Sequence, residues 1–208
     1  MGLVVLVGGL MLGCGDEGPE VPQPPANRGQ CIQRAAFPTP SSAQYCLPYA
    51  ENSAFLVTQS YCSLPARSHE TRFAWDFAMP MGTEIRAARE GVVVELREHW
   101  LDTDTQGGHE NMVALRHADE TLSLYIHLQH NGVLVEMGDT VPAGGLLGLG
   151  GSSGTGFPHL HFMVCLRAGL CSSPTEITLP ISYRNAIGPL DSIGGLAEGE
   201  EYLAGPCT

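Results

Sequence analysis

The sequence contains no lysine: all ten basic residues are arginine, set against 22 acidic ones, for a formal charge of −12. A chain this acidic lacks the basic surface that neutralises phosphates, which argues against nucleic acid as a partner. Without lysine there is no Schiff-base chemistry and no P-loop, whose lysine reaches the nucleotide phosphates. Long apolar runs are scarce too. The one at Met1–Leu12 is too short to span a bilayer. No two cysteines stand in C-x-x-C spacing, which disfavours a cysteine zinc site. The zinc helix H-E-x-x-H is missing as well, because Phe73 stands four residues after His69. Helical periodicity never persists beyond a turn or two.

What is present suits one folded domain and a tail: 208 residues, 43% of them hydrophobic. Residues 1–13 have the length of a signal-peptide apolar region. Met11-Leu12-Gly13-Cys14 resembles a lipobox, in which cleavage precedes a lipid-bearing cysteine. Residues 14–30, with Pro19, Pro22, Pro24 and Pro25, read as a linker between this anchor and a domain over residues 31–208. Setting Cys14 aside leaves six cysteines, an even set suited to three disulfides in an oxidising compartment. Their connectivity stays open, with Cys165 and Cys171 close enough to clip one loop. The expected location is extracytoplasmic, either membrane-anchored through lipid on Cys14 or secreted.

From residue 31 onward, period-two alternation bounded by glycine and proline predicts a mainly β, antiparallel domain with few or no helices. In Arg72–Ala78, the aromatics Phe73, Trp75 and Phe77 point one way and Asp76 the other. In Thr121–Leu128 the apolar set is Leu122, Leu124, Ile126 and Leu128, which puts His127 opposite them beside Tyr125. In His159–Val164, Leu160, Phe162 and Val164 form the apolar face, and His159 and His161 share the other, roughly 6.5–7 Å apart. Three strands thus offer His or Asp from the face opposite their apolar residues.

A catalytic zinc takes about three nitrogen or oxygen ligands and leaves a fourth position to water. Histidines beside it can move protons or stabilise an oxyanion. Alternation alone does not say which histidine does which. Other motifs fit less well. Gly150-Gly-Ser-Ser-Gly154 matches the G-x-S-x-G of serine hydrolases, but Thr155-Gly-Phe-Pro158 cannot open the helix that motif requires. Asp102, Asp104 and Glu110 lack the spacing of a calcium loop. His99, His109, His117 and His130 read as surface or hydrogen-bonded residues, with His117 a candidate support behind the ligands.

In order along the chain, His69-Glu-Thr-Arg-Phe-Ala-Trp-Asp76, Tyr125-Ile-His-Leu128 and Gly154-Thr-Gly-Phe-Pro-His-Leu-His161 resemble the lysostaphin/LytM family of zinc metallopeptidases. The likeness covers residues 68–164. It implies the LytM-type β fold, zinc held by His69, Asp76 and His161, and a catalytic pair of His127 and His159. It also implies hydrolysis of peptide cross-links in bacterial peptidoglycan, next to glycine or a D-amino acid. The alternative it carries is a non-catalytic LytM-like module that binds wall or activates an amidase. Two departures stand out. Six residues separate His69 from Asp76 where well-known members have three, and Phe157 occupies a position where glycine is frequent.

Overall fold

Alternating apolar and polar residues, punctuated by glycine turns, give strands through most of the chain. The computed structural model describes residues 27–63, 69–166 and 177–207. The expected signal peptide, Cys14 and most of the proline-rich linker lie outside those residues, as does Cys171. A short helix, Arg28–Gln33, straddles the boundary read at residue 31, and the Asn27 side chain caps it by accepting from the Gln30 amide. A single 3-10 turn follows at Pro40–Ser42.

Strands β1 (Ala54–Gln59), β2 (Ala74–Ala78), β4 (Gly91–Arg97), β5 (Met112–Arg116) and β6 (Leu122–Ile126) belong to one large sheet. They are joined there by β8 (Thr140–Val141), β10 (His159–Cys165), β11 (Ala186–Ile187) and β12 (Glu201–Ala204). The spatial order is β11-β12-β1-β2-β10-β6-β5-β4-β8, with antiparallel neighbours throughout. A smaller sheet of β3 (Glu84–Arg86), β9 (Leu146–Gly150) and β7 (Leu128–Val133) packs against it. After Val164 the chain adds β11 and β12, and β12 zips onto β1.

The main core gathers Trp75, Phe77, Tyr125, Leu160, Phe162 and Val164 from the large sheet, and Ile85, Leu128 and Leu147 from the small one. Burying each large side chain contributes about 1.5–3 kcal/mol, so this face holds most of the fold's apolar stabilisation. A second, smaller cluster of Ala74, Met112, Ala114, Leu122, Leu124 and Met163 covers part of the opposite face. That opposite face carries the polar site. In the ladder, Asp76 lies beside His161, and His161 beside Ile126.

This register corrects one expectation. Leu122, Leu124 and Ile126 lie on the face of Asp76 and His161, whereas Tyr125 enters the main core beside Phe162. Strict alternation would therefore send His127 into the core with Tyr125. Instead His127 adopts a left-handed backbone, φ +69°, between β6 and β7. That kink turns its ring towards the site and delivers Leu128 to the main core.

Two disulfides join described residues: Cys31–Cys62 and Cys46–Cys207, with Cα separations of 5.8 Å each. Cys165 is also disulfide-bonded. The loop clip read between Cys165 and Cys171 falls on a residue outside the description.

Candidate metal centre and its flanking histidines

Asp76 from β2 and His161 from β10 meet because they are cross-ladder partners in adjacent antiparallel strands. Asp76 Oδ1 lies 2.8 Å from His161 Nδ1. His69 arrives from the loop between β1 and β2, with its Nε2 at 3.1 Å from His161 Nδ1 and 3.3 Å from Asp76 Oδ1. These three side chains are the one group of His, Cys, Asp or Glu among the described residues whose donor atoms converge as a metal needs.

The long spacer before Asp76 is taken up by a compact turn. Arg72 N donates to His69 O at 3.0 Å, Cys62 N donates to Arg72 O at 2.9 Å, and Phe73 N donates to Thr178 Oγ1 at 2.7 Å. Cys62 is tied to Cys31 by disulfide. The His69 ring, fully buried, donates from Nδ1 to the Ser60 carbonyl at 2.9 Å, since a carbonyl can only accept. Its Nε2 is left with a lone pair facing Asp76 and His161.

The donor set suits a cation. Three ligand atoms around one tetrahedral zinc at ~2.0–2.2 Å lie about 3.3–3.5 Å from one another. The separations of 2.8, 3.1 and 3.3 Å are close to that and slightly tighter. With neutral rings and an ionised Asp76, only His161 Nδ1 can carry a hydrogen among the three atoms. A buried cluster this short of protons is satisfied by a shared positive ion.

Burial alone would raise the Asp76 carboxyl, but the His161 and His69 imidazoles outweigh it and hold the acid well below the usual carboxylate range. Burial pushes His161 down, which keeps the ring neutral and able to coordinate. His127 and His159 are likewise lowered, mainly by burial, with the nearby His161 imidazole also opposing a charge on His127.

These last two histidines flank the cluster. Their ring centroids are 4.5 Å apart, and His127 lies 6.1 Å from His161. His127 Nδ1 donates to the Ser153 carbonyl at 2.7 Å, and His159 Nδ1 to the Phe157 carbonyl at 3.1 Å. Each ring therefore keeps its Nε2 lone pair free, and that of His159 stands 3.9 Å from Asp76 Oδ2. Phe157 also stacks its exposed ring on His159, at 4.7 Å between centroids.

All five residues singled out in the sequence thus converge. The other candidates lie elsewhere. His117 donates from the back of the large sheet to Glu90 O and meets Ser123 Oγ, away from the cluster. His109 pairs with Asp104 and stacks on Trp100. Asp102 holds the Ser152 and His130 amides, and Glu110 accepts from Gly108, so these carboxylates serve their own loops. Ser152 and Ser153 donate to carbonyls rather than to any base. Sequence reasoning missed the carbonyls of Ser60, Phe157 and Ser153, because a backbone acceptor leaves no trace in residue type.

Among known proteins, the peptidoglycan DD-endopeptidase ShyA of Vibrio cholerae is 38% identical to this chain over 94 residues. That stretch is 44% of this chain and 20% of ShyA, so the chain spans about a fifth of that relative. The catalytic domain of the antimicrobial peptidase lysostaphin from Staphylococcus simulans is 26% identical, matched over 61% of this chain and 88% of its own, with a TM-score of 0.44. A chain of the SpoIIQ–SpoIIIAH pore-forming complex matches 68% of this chain and 92% of its own, at a TM-score of 0.50 and 18% identity, which speaks for the fold alone. The sequence model of one family matches residues 70–170, a stretch that holds Asp76, His127, His159 and His161 and begins one residue after His69, and that stretch is a peptidase family M23 domain.

Proposed function

We propose that the protein is a zinc metalloendopeptidase that hydrolyses peptide bonds in bacterial peptidoglycan. The observation that carries this reading is the convergence of His69 Nε2, Asp76 Oδ1 and His161 Nδ1 to within 3.3 Å of one another, beside two further histidines with free Nε2 atoms. Zinc at such a triad polarises a peptide carbonyl and brings the pKa of its water towards ~7. His127 and His159 can each take up a proton at Nε2, because Nδ1 is committed to a carbonyl, and once charged each can donate from Nε2 to a developing oxyanion. Either order of those roles is compatible with their placement. The Ser60 carbonyl fixes the tautomer of His69, as partners behind metal-bound histidines do.

Peptidoglycan as substrate is supported by family membership and by ShyA, a peptidoglycan endopeptidase. A non-catalytic module that binds wall has no need for the two histidines, whereas here both are oriented and adjacent to the triad, His159 buried and His127 half-buried. Extracytoplasmic residence fits the two disulfides, and lipid on Cys14 would hold an acidic protein near an anionic wall that does not attract it. Wall-digestion assays with wild type, His161→Ala and His159→Ala test the function. Release of peptide fragments by wild type alone is expected, and equal activity in all three would rule out the metallopeptidase reading.

A further inference from the structure

The geometry points to Ser153 as the residue that positions His127. This rests on the reading of His127 as one of the two assisting histidines. His127 is held in a left-handed conformation, φ +69°, that a non-glycine residue keeps only when its surroundings over-determine it. Ser153, itself fully buried, supplies much of that determination through three hydrogen bonds made by two oxygens. Its carbonyl accepts the His127 Nδ1 proton at 2.7 Å. Its hydroxyl donates to the carbonyl of Leu128, the residue just after the kink, at 2.8 Å. The same hydroxyl oxygen accepts the Asn111 amide at 2.9 Å.

Asn111 completes the clamp. Its carbonyl accepts the Leu128 amide at 3.0 Å, and its Nδ2 reaches Leu128 O at 3.3 Å. Both peptide groups that follow the kink are therefore tied to Asn111, just before β5, and to the loop after β9. On the other side, the Gly151 amide donates to the His127 carbonyl at 2.9 Å. Gly151 is needed for that approach, since a Cβ there would lie 2.4 Å from Gln129 N. The hydroxyl of Ser153 thus fixes the backbone that aims the ring, and its carbonyl fixes the ring's tautomer. These hydrogen bonds go to Asn111, His127 and Leu128 and not to His69, Asp76 or His161.

Ser153→Ala removes the hydroxyl and keeps the carbonyl, and Ser153→Thr restores a hydroxyl. In the zinc-loaded full chain, Ser153→Ala is expected to lower kcat on peptidoglycan by about 10–100-fold, the scale of a misaimed group, with KM and zinc content within about twofold of wild type. Ser153→Thr is expected to recover most of that loss. In nitrogen-15 NMR, His127 of wild type is expected to show a single tautomer protonated at Nδ1; in Ser153→Ala the carbonyl remains but the loosened backbone no longer holds the ring against it, and a mixture is expected. Undiminished kcat in Ser153→Ala together with a single Nδ1 tautomer overturns the assignment. So does a loss of zinc that parallels the loss of kcat, which marks a merely structural role. If the wild-type protein digests no wall, the peptidase reading fails on its own, and the tautomer comparison still decides whether Ser153 sets His127.

Discussion

Two of the three candidate ligands sit on a ladder and one does not. Asp76 and His161 are cross-strand partners in β2 and β10, so the pleat alone brings their side chains together. His69 reaches the same point from irregular backbone, held by the Ser60 carbonyl, a turn onto Arg72 and the disulfide that ties Cys62 to Cys31. The flanking histidines divide in the same way: His159 is on β10, whereas His127 stands at a left-handed break between two strands. The site is therefore half sheet and half clamp. The sheet half depends on the whole core, and the clamp half on a few specific hydrogen bonds.

The largest effects should come from the sheet half. His161→Ala and Asp76→Ala should each abolish zinc retention and lower wall digestion by at least ~10³-fold, since the metal contributes several kcal/mol of transition-state stabilisation. Zinc stoichiometry after dialysis, with digestion assays, checks this. Full activity in either variant would break the comparison at its base.

Next comes the clamp that carries His69. Replacing Cys31 and Cys62 together by serine opens a crosslink with a sequence separation of 31, for an expected loss of about 3–4 kcal/mol in unfolding free energy. Zinc affinity should drop further than it does when Cys46 and Cys207 are replaced, because only the first pair adjoins the His69 turn. Chemical denaturation and zinc titration of both double variants read this out. Equal zinc affinities would show that the clamp is not what seats His69.

A moderate effect concerns pH. Burial lowers His127, His159 and His161 below the ordinary imidazole value of about 6.5. Below that pH the unfolded chain takes up protons that the folded chain still refuses, so unfolding free energy falls as pH falls. The stability is complete above about pH 6.5 and is lost as pH drops through the folded values. Metal release runs in the same direction, since protonated rings do not coordinate. Thermal unfolding of metal-free protein between about pH 8 and 5 should show a falling Tm, with a flatter slope in His161→Gln. A Tm that rises on acidification would contradict the assignment of neutral, buried rings.

The smallest effect is expected at Phe157. Phe157→Ala keeps the carbonyl that orients His159 and removes only the stacked, exposed ring. Stability should change by about 1 kcal/mol or less, and kcat/KM by only a few-fold. A collapse of activity would move Phe157 from the rim of the site to its machinery.

Much of the sheet half was legible in the sequence. Alternation correctly set Asp76 against Phe73, Trp75 and Phe77, and His159 and His161 against Leu160, Phe162 and Val164, because both strands keep a strict two-residue period. For Thr121–Leu128 the same rule brought His127 to the right place for the wrong reason. Leu122 and Leu124 lie on the site's face, and a positive φ, which no periodicity encodes, turns His127 to join them. His69 was legible only through family likeness, since its position depends on a backbone carbonyl of Ser60. Ser153 was invisible as a support, because its part in the site is played by its main chain and by a hydroxyl buried against Leu128 and Asn111.

The most direct test is metal analysis of the purified protein, combined with zinc-edge X-ray absorption, in wild type and His161→Ala. One tightly held zinc per chain is predicted for wild type, with nitrogen and oxygen neighbours at ~2.0–2.2 Å and no sulfur, and its loss in the variant. A wild-type protein that retains no zinc, or a zinc whose coordination is unchanged by His161→Ala, would contradict the account.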